Sequence, residues 1–128
     1  MHMVKKLVQN TKLKLATRNI GTMTGKGMEL VDTMRRRKVH VACLQETKWV
    51  GEKAREIENT GFKLYYTGKY RNRNEVGIIV DKNFKDDIVI VIRKGDKLIL
   101  VKLVLGENII NIVSAYAPQV GLDEHTKV

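Results

Sequence analysis

The chain changes rhythm as it is read. From Leu13 to Asn19 the character switches at every residue, with Leu13, Leu15 and Thr17 on one side and Lys14, Ala16 and Arg18 on the other. That is the period-two signature of a strand. After a Gly/Thr turn, "GMELVDTMRRRK" sets Met28, Val31 and Met34, with Leu30, along one stripe at helical spacing, which predicts an amphipathic helix of about three turns. "VHVACLQE" reads as a second strand. Strand, helix, strand is almost always a right-handed crossover joining parallel strands. The carboxyl ends of the two strands then share one sheet edge, and Asn19 comes toward Gln45 and Glu46. Ligand sites of α/β sheets lie outside that edge. A site there would account for an apolar strand that runs straight into Gln45, Glu46 and Lys48, as would the plain end of a strand in polar residues.

Beyond Trp49, "GEKAREIENTG" predicts a short helix closed by Gly61 at its C′ position. The pattern then becomes strand-like: "FKLYYTG", "EVGIIVD", "DDIVIVIR", "KLILVKLVLG" and "NIINIVSAY". Their connections, "KYRNRN", "KNFK", "KGD" and "GEN", are short enough to predict antiparallel hairpins. The lone proline, Pro118, follows the last strand. The expected fold class is α/β, a mixed sheet with a parallel β-α-β start and antiparallel later strands.

Composition narrows this picture. A chain of 128 residues has room for one domain of ordinary size. No apolar run approaches the ~20 residues that span a bilayer. Residues 1–12 read as a cloning scar, "MHM", and a basic tail outside the fold, leaving 13–128 as the domain. One cysteine cannot form an intramolecular disulfide, which points to a reducing compartment. Cys43 itself, between Ala42 and Leu44, reads as a small core residue rather than a nucleophile. The 24 Lys and Arg against 14 Asp and Glu leave a formal charge of +10, which attracts polyanions and nucleic acid above all. With aromatics at 5% there are few platforms on which single-stranded bases could stack.

Two basic stretches carry double readings. Arg35, Arg36, Arg37 and Lys38 suit a helix C-terminus through the macrodipole, and equally a DNA contact. "KYRNRNE" places Arg71, Arg73 and Asn74 in a loop that could take phosphates or form a solvated turn. Trp49 could cover the rim of a site or close a core. "GKG", Gly25 to Gly27, is too short for a phosphate loop.

Four motifs in order, "LATRNIGTM", "HVACLQETKW", "NEVGIIV" and "IVSAYAPQ", resemble the first half of an endonuclease/exonuclease/phosphatase domain of the type found in LINE-class retrotransposons. The resemblance covers Leu13 to Val128. It implies the first half of a four-layer α/β sandwich and a divalent metal, Mg²⁺ or Mn²⁺, that hydrolyses phosphoesters. By resemblance Asn19 helps to hold phosphate and metal, Glu46 is the metal-binding glutamate, and Tyr116 contacts the scissile phosphate. Lys48, Arg71, Arg73 and Asn74 are the expected DNA contacts. The residue types fit, because Mg²⁺ takes oxygen ligands and needs only one or two carboxylates beside substrate phosphate. A DNA target sets the expected location as intracellular, and nuclear before cytoplasmic.

The chain departs from the family at Arg18, which stands where the family has Trp. A "GDFN"-like Asp and Asn and a terminal Asp-His pair have no counterpart. His125 lies only nine residues after Tyr116, and His40 begins a strand at the end opposite Glu46. Without a general base, the expectation is an endonuclease fragment inactive alone, the alternatives being a non-catalytic nucleic-acid-binding module or a protein-interaction module. In "LILVKLVL", Ile99, Val101 and Leu103 face one way and Leu98, Leu100 and Val104 the other, so the strand expects cover on both faces. Two helices would cover one. The family's second sheet, which a half-domain would lack, covers the other, so a homodimer through a bare sheet face is expected.

Overall fold

The computed structural model describes residues 2–8, 11–19, 27–45, 54–67, 76–95 and 97–116. Along these the chain forms β1 (His2–Val8), β2 (Thr11–Asn19), α1 (Gly27–Arg37), β3 (Val41–Gln45), β4 (Ala54–Glu56), β5 (Lys63–Tyr66) and β6 (Val76–Val80). A 3-10 turn at Lys85–Asp87 leads to β7 (Ile88–Lys94), β8 (Leu98–Leu105) and β9 (Asn108–Ala115). The fold is mixed α/β. One sheet has the order β1-β2-β3-β6-β5-β4, and a second has the order β7-β8-β9. The crossover through α1 makes β2 and β3 parallel, while the other strand pairs among the described residues are antiparallel.

The middle strands β3, β6 and β5 of the six-stranded sheet are covered on both faces, and the alternation along them shows how. Val41 faces the second sheet and Ala42 the helix; on β6, Ile78 and Val80 face the second sheet and Ile79 the helix. The layer between sheets is closed from the other side by Ile99, Val101, Leu103 and Ile112. On the helix side, Leu30, Val31 and Met34 of α1 pack with Ala16, Leu44 and Leu64, joined by Ile57 and Phe62 from the loop after β4. The buried stripe of α1 therefore omits Met28, which sits in the first turn and is 38% exposed. The helix closes with Lys38 in the left-handed region (φ 57), Val39 N–H donating to the Met34 carbonyl at 2.8 Å and Lys38 N–H to that of Arg35 at 3.2 Å. The Arg35 guanidinium lies 5.5 Å over the Phe62 ring, so one member of the basic run serves packing.

Four expectations are corrected. The segment expected as a helix before Gly61 instead supplies β4, paired antiparallel with β5, and a tight loop. Ile57 is its one large apolar residue, too little for a helical stripe, and it is fixed by its N–H to the Phe62 carbonyl at 2.9 Å. Gly61 does have positive φ, 79°, but it serves that loop; a Cβ there would stand 2.6 Å from Cβ of Lys82. Residues 2–8, set aside as scar and tail, pair with β2 from His2↔Thr17 to Val8↔Thr11. The "KNFK" connection is no hairpin, since β6 and β7 belong to different sheets and the chain crosses between them there. Finally, the second sheet is present: β7-β8-β9 folds across the face that was expected to be bare, and the uncovered face is that sheet's own outer one.

Candidate functional site

The carboxyl edge of the parallel pair is where the elements converge. Asn19 and Gln45 are register partners at the ends of β2 and β3. The second sheet reaches the same edge through three consecutive contacts. Cys43 Sγ lies 3.7 Å from the Val113 carbonyl, Ser114 Oγ donates to the Leu44 carbonyl at 3.0 Å, and Gln45 Nε2 donates to the Ala115 carbonyl at 2.9 Å. Each joins positions 70 residues apart. A constant offset means that β9 runs alongside β3 in the same direction, so the two strands end at one edge. Tyr116 follows at once. Its N–H donates to the Lys97 carbonyl at 2.8 Å, and its half-buried side chain packs against the core between the sheets.

Of the residues singled out from sequence, the structure thus brings the backbone of Asn19 and the residue Tyr116 to one edge. Glu46, Lys48, Arg71, Arg73 and Asn74 lie outside the described residues. Arg18, one residue before Asn19, is exposed, so the cation is accommodated by solvent. His40 stands at the opposite end of β3, as its position in the sequence implied. Its Nδ1 accepts the Lys14 backbone N–H at 2.9 Å, and its ring meets Phe84 edge-on at 5.0 Å.

Two contributors were not singled out as site residues. Gln45 is a polar strand end whose side chain turns across to the second sheet. Ser114 is buried and carries the one hydroxyl among the aliphatic residues of β9; that isolated hydroxyl was the available signal. Cys43 is half-buried against the core between the sheets, and burial pushes its thiol up to about 11, which disfavours the thiolate.

Among the described residues no three His, Cys, Asp or Glu side chains gather as a metal-ligand group. A cavity of about 290 Å³ lies elsewhere, at the amino end of β3, lined by Met34, Lys38, His40, Asp81 and Lys82 among others. Asp81 is buried there, and desolvation raises its carboxyl above the ordinary value against the pull of the Asn83 N–H, which donates to Oδ1 at 2.8 Å. The cavity is thus at the far end of the sheet from the converging strand ends. Compared with known proteins, the chain matches no protein-family model and no curated protein matches it significantly.

Proposed function

We propose that this chain is the first half of a LINE-type, divalent-metal-dependent DNA endonuclease domain, supplying phosphate and metal contacts but unable to cut alone. Its four motifs resemble those of the retrotransposon-derived endonuclease segment of craniofacial development protein 2. The observation that carries the reading is the constant offset between β3 and β9. Gln45 reaches Ala115 at the shared strand ends, and in the sequence Glu46 is the residue after Gln45 and Tyr116 the residue after Ala115. On this reading the carboxylate and the phenol serve the edge at which Asn19 ends β2, where α/β sheets hold ligands.

The roles follow from residue chemistry. Glu46 is the carboxylate ligand for Mg²⁺ or Mn²⁺, and Asn19 adds an amide oxygen. The metal, when bound, neutralises phosphate charge. The Tyr116 hydroxyl donates to a phosphate oxygen, and Lys48, Arg71, Arg73 and Asn74 hold the DNA backbone. A base that activates water is absent from this set, so turnover requires residues from elsewhere.

The test is a plasmid-nicking assay with Mg²⁺, paired with a DNA-binding titration across salt. The chain alone is expected to leave supercoiled plasmid intact while binding DNA without sequence preference, the affinity falling steeply with salt through counterion release. Glu46-dependent nicking would overturn the claim of inactivity, and salt-insensitive affinity the phosphate contacts. A second reading, a basic module that binds nucleic acid without metal, is favoured by the +10 charge. It predicts DNA binding unchanged in Glu46→Ala and no response to Mg²⁺.

A further inference from the structure

Most of the large apolar side chains exposed among the described residues belong to one sheet. Val89 is 57% exposed, Ile90 42% and Ile92 47%, on β7; Ile109 is 63% and Val113 47%, on β9. Register explains the grouping. Val91, Val101 and Ile112 align across the three strands and face inward, so the next row, Ile92, Leu100 and Val113, faces outward. Val104 and Ile109 extend that outer face, and one row is polar, with Lys102 paired to Asn111.

We propose that the outer face of β7-β8-β9 is closed by a second copy of this chain, the two sheets packing face to face. This goes beyond the proposed function and does not rest on it. Area is the first argument. These five exposures amount to roughly 400 Å², and half-buried Leu98, Leu100 and Val104 add to them, which puts the patch well inside the range of the largest on a typical monomer. With the stems of Lys102 and Lys94 and the Asn111 side chain, each copy offers nearly the ~800 Å² of a standard interface, and the pair clears the roughly 1,000 Å² that separates specific contacts from incidental ones. Symmetry is the second. An isologous contact needs a patch complementary to itself. A broad aliphatic face meets that condition because aliphatic contact needs no opposite charge, and aligned sheets stack at about 10 Å. Lys102, half-buried at the centre, can lie along the face with its ammonium at the rim.

Charge sets a signature. Two copies at +10 repel, so screening by salt strengthens this association. Phosphate binding would weaken under the same salt.

The experiment is light scattering on a size-exclusion column at micromolar concentration, in low and in high salt, on the wild-type chain and on the double variant Ile109→Asp with Val113→Asp. Both residues point outward, and circular dichroism checks that the variant is folded. The wild type is expected at twice the 14.6 kDa chain mass, more fully so at high salt, and the variant at the chain mass in both. If the double variant fails to fold, Ile92→Lys on the other edge strand takes its place. A wild type that stays monomeric at both salts overturns the proposal. So does a folded variant that remains dimeric, or wild-type assembly beyond the dimer.

Discussion

Gln45 donates from Nε2 to the Ala115 carbonyl at 2.9 Å, joining the last residue of β3 to the last residue of β9 across the two sheets. With Ser114 Oγ on the Leu44 carbonyl one step earlier, it fixes the relative slide of the strands. Removing a neutral hydrogen bond of this kind costs about 0.5 to 1.5 kcal/mol net. Gln45→Ala and Ser114→Ala are each expected to lower unfolding free energy by about 1 kcal/mol in urea titration. Because they share one seam, the double variant should depart from additivity by more than ~0.5 kcal/mol. Additive effects would show that the two bonds do not act together.

The metal prediction turns on one carboxylate. Mg²⁺ or Mn²⁺ titrated into the wild type should shift or broaden amide resonances of Asn19 and Gln45, and Glu46→Ala should abolish that response while leaving the rest of the spectrum in place. Equal responses in the two proteins would remove Glu46 from the site.

Asp81 should be better as an amide. Desolvation raises its carboxyl, so folding disfavours the charged form; stability is complete below the ordinary carboxyl range and declines as pH rises through the folded value. Asp81→Asn keeps an oxygen for the Asn83 N–H and removes the buried charge. It is expected to be neutral or stabilising at pH 7 by up to about 1 kcal/mol, with no gain at pH 3 where the carboxyl is already protonated. Urea midpoints at the two pH values decide; a clear loss at pH 7 would mean that the nearby His40 and Lys82 reward the charge.

The thiol makes the reverse of a reactive-cysteine prediction. With Cys43 near 11 rather than the ordinary 9.0, its thiolate fraction at pH 8 is about 100-fold lower, since each pKa unit is a factor of ten. Labelling by a disulfide reagent at pH 8 should be slower than in urea by at least that factor. The linked stability is full below about pH 9 and falls until about pH 11, because the unfolded chain releases the proton first. Fast native-state labelling would contradict the burial.

Periodicity by itself determined the strand-helix-strand start, the five later strands and the parallel edge, because alternation and helical spacing are local and each residue carries its own part of the signal. It also brought Asn19 and Gln45 to one edge, since a crossover joining parallel strands sets their carboxyl ends on the same side of the sheet; that they are direct register partners was decided by the pairing of β2 with β3. What only tertiary structure decided is which strands share a sheet. The runs "EVGIIVD" and "DDIVIVIR" look alike and are separated by a few residues, yet β6 lies in one sheet and β7 in the other. An apolar run records that a strand is covered and not what covers it, so the same pattern served a central strand and a sheet facing solvent on one side. The segment around β4 went astray for a related reason. Its single large apolar residue, Ile57, suits a helix or a hairpin equally, and pairing with β5 selected the hairpin. The meeting of β3 and β9 was likewise hidden in the sequence, because a contact across 70 residues depends on the stacking of two sheets and leaves no local period to read.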